Sequence, residues 1–306
     1  MKKVLLIYGG TSTEHDVSCI SAKSIINNID KTKYILDCVH ITKNNKWLYN
    51  NEEITNIITF LKKYDVIFPI THGTNGEDGK LQGLLDFFNI KYVGCKWGSS
   101  YICMDKIRTK EILGYYKIPQ VPFEIYEKGK TITIPFPVII KPANGGSSIG
   151  IQVANNKKEL KKAIKQALKY DKKIIVEKFI NAQELECAVL EDKKLIISEI
   201  GEIISANSFY DYEAKYKNKE SKTLIPANID INISNKIKQY AEQVYKILDI
   251  KGLARIDFFY DKQYKKIYLN EINTLPGFTE ISMFPKLIMN EGLTYKQIIS
   301  KLIDNA

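Results

Sequence analysis

Residues 252–277 read GLARIDFFYDKQYKKIYLNEINTLPG. Two extended runs, LARIDFFY and KIYLNEIN, flank a polar turn from Asp261 to Lys266, so the stretch predicts a β-hairpin. Alternate side chains of a strand share a face, which puts Arg255 with Asp257 and Glu271 with Asn273. If Asp257 lies opposite Glu271, the turn centres near Tyr264 and all four polar groups point the same way. Two carboxylates and an amide oxygen on one wall are hard oxygen ligands, of the kind Mg²⁺ accepts while it keeps water and phosphate oxygens. Among 45 lysines and arginines only Arg108 and Arg255 are arginine, so a guanidinium here implies a task lysine does not perform. For the hairpin taken alone, a solvated polar face with a chance ion pair accounts for the pattern equally well.

The 306 residues can bury a large core and imply two or three domains. A hydrophobic share of 44% with 26% charged residues belongs to a soluble globular chain. The apolar stretch in MKKVLLIYGGTSTEHD is too short for a signal peptide, and no run is long enough for a membrane span. Cys19, Cys38, Cys95, Cys103 and Cys187 lack CxxC spacing, so a reducing cytoplasm is expected, with neither a disulfide framework nor a zinc site. The net charge of +10 comes from evenly spread lysine without an aromatic-interleaved stripe. Nucleic acid is therefore not the expected partner, although the charge favours anionic substrates.

Along the chain, KVLLIY, Gly9-Gly10 and a helical run after Asp16 open an α/β unit whose helix start presents N–H groups to an anion. GxGxxG spacing is absent. Glu14 at that turn reads either as an acid favoured by the helix dipole or as a receptor for an ammonium group. Short strands are predicted at 34–40 and 46–49, with a helix from Glu53 to Lys63. DVIFPITHG repeats the strand pattern and puts His72 in the loop at its carboxyl end, where open α/β sheets place ligands. A further strand at 90–94 precedes one long helix, SYICMDKIRTKEILGYY.

A second unit follows Pro119. Its KPANGGSSIG segment lacks P-loop spacing, yet a lysine at a strand end before a Gly-Gly-Ser-Ser flap can pin and cover phosphates. IIVEKFINAQELE carries Glu177 and Glu184 around Phe179 and Ile180, either a slot for a base and ribose or an edge strand with exposed acids. The stretch SANSFYDYEAKYKNKESKTLIPANI is a candidate lid. A helix from Ser234, its expected N-cap, to Leu248 precedes the hairpin, and two helices close the chain.

Taken in order, GGTSTEHDVS, THGTNGEDGKLQG, MDK, KPANGGSSIG, EKFINAQELE, FYDYEAKY, GLARIDFF, NEINTLPGFT and SMFP resemble the D-alanine–D-alanine ligase family of the ATP-grasp superfamily. The likeness runs from Val4 to the last helix. It implies a mixed α/β, three-domain ATP-grasp architecture: an open parallel α/β substrate domain at 1–95, a central domain at 96–180, and a C-terminal domain at 181–306 with hairpin and lid. By the same resemblance Lys106 and Lys141 contact ATP phosphates, while Glu177, Lys178, Phe179, Ile180 and Glu184 hold adenosine. Phe209 and Lys215 meet the nucleotide from the lid. Asp257, Glu271 and Asn273 bind metal. Glu14 receives the first D-alanine's ammonium within a group completed by Ser147 and Tyr216, and His72 lies nearby. Arg255 and the Gly277 amide stabilise an oxyanion, and Ser282 with Met283 forms the second D-alanine pocket.

The activity so implied is ATP-dependent joining of two D-alanines through an acyl phosphate, supplying peptidoglycan precursors in the cytoplasm. ATP is the co-substrate with two Mg²⁺ ions, Mn²⁺ serving as a substitute. A homodimer is expected, with no nucleic-acid or membrane partner. The alternatives are D-lactate or D-serine as acceptor, another ATP-grasp carboxylate–amine ligase, or a nucleotide-binding module without catalysis. Asn144-Gly145 and Leu275 depart from residues seen in some family members.

Overall fold

The computed structural model describes residues 1–204 and 222–306, so Phe209, Lys215 and Tyr216 of the expected lid lie outside the described residues. Three sheets organise the described residues. In the first, β1 (Lys2–Gly9) runs parallel to β2 (Tyr34–Ile41) and to β5 (Val66–Pro69), while β3 (Trp47–Tyr49) and β4 (Glu52–Glu53) extend the β2 edge. The run KVLLIY is buried on both faces, as a central parallel strand requires. Val4 and Leu6 join the core that includes Ala22 and Ile25 of α1 (His15–Asn28). Leu5 and Ile7 pack with Leu61 of α2 (Ile57–Leu61) and Leu85 of α3 (Lys80–Phe87).

Two sequence expectations change in this region. Glu52–Glu53 pairs with β3 as a strand, and the Asn56 side chain accepts from Thr59 N, so α2 starts at Ile57 instead of Glu53. The expected strand at 90–94 is reduced to one bridge between Ile67 and Tyr92. Further on, the single long helix is two. Asp105 ends α4 (Trp97–Met104) and caps α5 (Lys106–Tyr115) by accepting from the Ile107 and Arg108 N–H groups. A short polar side chain that bonds backbone donors favours such a cap over the middle of a helix.

The smallest sheet is antiparallel, ordered β6 (Phe123–Ile125), β9 (Ile174–Lys178), β7 (Val138–Pro142), β8 (Gln152–Ala154). Its Val138, Ile140, Ile174 and Val176 bury against Leu160 and Ile164 of α6 (Lys157–Ala167). By strand parity the opposite face carries Lys141 and Glu177.

The largest sheet runs β12 (Lys222–Leu224), β11 (Ile196–Ile204), β10 (Gln183–Leu190), β13 (Leu253–Asp261), β14 (Lys266–Asn273), antiparallel throughout. One face buries Leu185, Cys187, Ile256 and Phe258 against Ile237, Ala241 and Val244 of α7 (Ile231–Ile247). Asp230, and not Ser234, caps α7 by accepting from Asn232 N, which leaves Ser234 buried one turn inside. At one end of the other face, Ala188, Leu190 and Leu253 share a core with α8 (Met283–Asn290) and α9 (Tyr295–Asp304). That core includes Val4 and Leu6, so the closing helices seal the first sheet to the largest. The rest of this face, which carries Glu184, Glu186, Arg255, Asp257 and Phe259, forms one wall of the site. Among the described residues no helix is long and apolar enough to cross a membrane.

Candidate active site

The hairpin has the register that parity demands. Asp257 pairs with Glu271 and Arg255 with Asn273, and β10 sets Glu186 opposite Asp257 and Glu184 opposite Phe259. A bulge follows, because Phe258 pairs with Leu269 and leaves Asn270 as the extra residue. A bulge re-aims a side chain, and Asn270 Oδ1 accepts from Lys141 Nζ at 3.3 Å across the cleft. Arg255 forks onto Asp257, with Nε to Oδ1 at 2.8 Å and Nη2 to Oδ2 at 2.7 Å, and its Nε lies 3.0 Å from Glu186 Oε2. Asn273 Nδ2 donates to Asp257 Oδ2 at 2.9 Å, so its carbonyl oxygen is the end that can accept or ligate. Two opposed carboxylates and an amide oxygen on one wall are a hard donor set that fits Mg²⁺.

The smallest sheet faces this wall. Lys141 Nζ is 2.8 Å from Glu177 Oε2, and Lys110 Nζ approaches Oε1 of the same carboxylate at 3.1 Å. All three side chains are buried. Burial pushes the Glu177 carboxyl up, but the two ammonium groups outweigh it and bring the pKa down to about 2. Lys110 is shifted down, because its own burial exceeds what a carboxylate shared with Lys141 restores. Glu177 therefore sits between two lysines and fixes Lys141 at the cleft. Lys178 Nζ donates to the Pro135 and Phe136 carbonyls, each at 3.0 Å, and Phe179 N donates to Pro137 O at 3.1 Å. Phe179 and Ile180 lie in the crossing from β9 to β10, between the two sheets that form the cleft.

The flap closes one side of the cleft. Lys106 Nζ donates to Gly145 O at 2.7 Å, and Asn144 is tied to Asp171 Oδ2 through N at 2.7 Å and Nδ2 at 2.9 Å. Ser147 and Ser148 stand at φ 54° and 58°, a left-handed pair that turns the chain back. Ser147 Oγ donates to Glu14 Oε1 across to the first sheet. Glu14 stands at the N-cap position of α1 without capping it. Gly73 follows His72, at φ +74°, and a Cβ there would lie 2.5 Å from Glu14 Oε2, so the bare backbone leaves room for the carboxylate.

His72 ties this region to the hairpin's exit. Its Nδ1 donates to Leu275 O at 2.9 Å, its Nε2 lies 3.0 Å from Ser21 Oγ, and Phe278 N donates to that hydroxyl at 3.3 Å. Burial opposes charge on His72, but Glu77, Glu14 and the Leu275 carbonyl outweigh it and raise the imidazole's pKa above its usual value. Gly277 is thus held between two anchored residues. Ser282 Oγ bonds Thr279 and does not cap α8, so the first N–H groups of that helix remain available to a carboxylate. The Met283 side chain is buried in the core that α8 shares with the sheet, so it does not line the cleft.

Three participants escaped the sequence reading: Asn270, Lys110 and Glu186. Two had visible signals. Glu186 is two residues from Glu184 on a strand and shares its face. Lys110 falls three residues from both Ile107 and Leu113, on the buried stripe of α5. Asn270 had none, since a bulge depends on pairing between strands.

Two antiparallel-sheet units facing across a cleft lined by lysines, carboxylates and a serine flap define an ATP-grasp fold. The D-ala D-ala ligase C-terminus family matches residues 117–304, and the D-ala D-ala ligase N-terminus family matches 3–60 and 50–95. A D-alanine–D-alanine ligase of Clostridium acetobutylicum is 43% identical over 100% of this chain and 98% of its own length. One from Caldicellulosiruptor bescii is 42% identical over 99% and 94%. Among solved structures, the VanG D-Ala:D-Ser ligase from Enterococcus faecalis superposes with a TM-score of 0.88 at 34% identity, covering 99% of this chain and 98% of that one. The Bacillus anthracis D-alanine–D-alanine ligase complexed with ATP gives 0.83 at 28%, covering 100% and 97%. The chain belongs to the D-alanine–D-alanine ligase family.

Proposed function

We propose that the protein joins two D-alanines to D-alanyl-D-alanine at the expense of ATP, a step in peptidoglycan precursor synthesis. The observation that carries this reading is the Ser147–Glu14 bond, which sets a carboxylate receptor for an ammonium group beside the lysine-lined cleft. Glu14, with His72 close by, binds the first D-alanine and leaves its carboxylate toward the phosphates. Lys106 and Lys141 neutralise the triphosphate, and the γ-phosphoryl group passes to that carboxylate, giving an acyl phosphate and ADP. The second D-alanine, its carboxylate at Ser282 and the start of α8, attacks the acyl carbon through its deprotonated amine and expels phosphate. Arg255 and the Gly277 amide face the oxygen that becomes anionic in that step. Asp257, Glu271 and Asn273 would hold two Mg²⁺ ions, or Mn²⁺ in their place, which supply charge neutralisation on the transferring phosphoryl group. Phe209, Lys215 and Tyr216 complete the nucleotide and substrate contacts in this reading. The domain limits 1–95, 96–180 and 181–306 belong to it as well, each span holding one sheet, as does a cytoplasmic homodimer.

The test is ADP release with D-alanine against L-alanine, with and without Mg²⁺, and identification of the product with D-alanine, D-serine or D-lactate as acceptor. D-Alanine- and Mg²⁺-dependent ADP with a D-alanyl-D-alanine product is expected. Release indifferent to D-alanine would overturn the reading, and a preference for D-serine, the acceptor named for the VanG relative, would move it to that branch.

Gly73→Ala probes the receptor separately. The new methyl displaces the Glu14 carboxylate, and loss of a charge-assisted hydrogen bond is worth about 1.5–3 kcal/mol. The KM for D-alanine should rise on the order of 10-fold or more while the KM for ATP stays put. Equal effects on both constants would show a general disturbance of the cleft.

A further inference from the structure

Among the described residues one cluster of metal-ligating side chains lies apart from the cleft walls: His15, Cys19 and His40, whose ligand atoms all fall within 4.8 Å of one another. His15 and Cys19 are four apart on α1 and project from the same side of the helix. His40 comes from the carboxyl end of β2. The two imidazoles meet at Nε2–Nε2 3.2 Å. They meet above Gly9, where a Cβ would lie 2.7 Å from His40 Cδ2 and 3.1 Å from His15 Cε1. The absent side chain makes the space in which the rings converge. Tyr8 stacks on the His40 ring at 5.0 Å and 16° and fixes its plane.

A backbone carbonyl on the far side of the ring settles the His15 tautomer. Gly10 O accepts from His15 Nδ1 at 2.6 Å, and a carbonyl can only accept, so the proton is on Nδ1 and Nε2 keeps its lone pair. A backbone carbonyl holding the outer nitrogen of a ligating histidine is the usual support of a zinc site. We infer that His15 Nε2, His40 Nε2 and Cys19 Sγ form a binding site for Zn²⁺ or a similar borderline-soft divalent cation, with the fourth position open to water. Tetrahedral Zn²⁺ bonds of about 2.0–2.3 Å to nitrogen and sulfur put ligand atoms roughly 3.3–3.8 Å apart, a spacing the two imidazole nitrogens at 3.2 Å already nearly have. On binding, the Cys19 thiol releases its proton to solvent, and His40 carries its proton on Nδ1 instead of Nε2. Burial lowers the His40 pKa, with His15 adding to it, which keeps the imidazole neutral and able to ligate. These ligands are soft where the hairpin's are hard oxygen, so the two sites prefer different metals.

The test is a titration of the full-length protein with Co²⁺, in saturating Mg²⁺ so that oxygen sites are masked. One equivalent should produce a thiolate-to-cobalt charge-transfer band in the near ultraviolet that Zn²⁺ bleaches. Cys19→Ser should abolish the band and Cys38→Ser should retain it. His40→Asn should weaken binding by more than the roughly 10- to 100-fold lost when a residue that only hydrogen-bonds a ligating side chain is removed. D-Alanine-dependent ADP release, retained in all three variants, shows that they fold; should Cys19→Ser not fold, His40→Asn alone decides. No charge-transfer band in the native chain, a band that survives Cys19→Ser, or unchanged affinity in His40→Asn overturns the inference.

Discussion

Arg255→Ala is expected to lower D-alanine-dependent turnover about 100- to 1,000-fold, the usual cost of removing one donor from an oxyanion site. The geometry says which atoms matter. Nε and Nη2 are spent on Asp257 and Glu186, so Nη1 is the donor that none of these contacts uses. The Arg255 side chain is only 15% exposed, and deleting it removes the cation that Asp257 and Glu186, paired across β13 and β10, share in these contacts. Breaking a buried pair in this way costs about 3–5 kcal/mol of stability. Lower turnover in the alanine variant thus mixes catalysis with folding. Arg255→Lys separates them, because it keeps one positive charge against the two acids yet has no planar fork to reach Asp257 and substrate together. Its Tm should stay near that of the native protein while kcat falls by a factor close to the alanine variant's. A folded lysine variant with near-native kcat would remove Arg255 from the chemistry.

What could be read from the chain and what could not divide along a physical line. The Asp257–Glu271 pairing follows from a period of two and a polar turn, both local properties, and the structure has it. The same arithmetic misses the bulge at Asn270, because the bulge is settled where β14 meets β13 and not within either strand. Helix ends show a similar divide. Asp230 and Ser234 both satisfy capping preferences, and α7 takes Asp230, which lets Ile231 and Ile233 extend the helix by a turn. Asp105 hides inside a helical pattern, and its cap is reinforced by Lys173 at 2.6 Å, a residue 68 positions away. Buried charge is the hardest to see. Lys110 looks like one more lysine among many, and only the approach of β9 to α5 makes it the partner of Glu177. The His15, Cys19 and His40 cluster is invisible to spacing rules for the same reason, since its third member arrives by way of the parallel pairing of β1 with β2.

Glu177→Gln should cost stability and nucleotide affinity together. In the native protein one carboxylate compensates two buried ammonium groups, with Lys141 at 2.8 Å and Lys110 at 3.1 Å. A neutral amide leaves both cations uncompensated in a dry setting, a loss of about 3–5 kcal/mol near neutral pH. Lys110, already shifted down by burial, would then shed its proton more readily, so part of the loss should return as pH rises. The acid side carries the sharper signature. Folding depresses the Glu177 pKa from 4.5 to about 2, so its contribution is fully present above pH 4.5 and drains away as pH falls toward 2. That depression corresponds to roughly 3 kcal/mol at 1.36 kcal/mol per pKa unit. Urea unfolding of the native protein should therefore show stability falling across that window, and Glu177→Gln should flatten the fall. The KM for ATP should rise as well, since an amide has one acceptor oxygen and no charge with which to hold both lysines, and the aim of Lys141 then rests more on Asn270 at 3.3 Å. Parallel pH profiles in the two proteins would mean that the acid sensitivity arises elsewhere. An unchanged KM for ATP would mean that Lys141 is aimed by the hairpin's Asn270 alone.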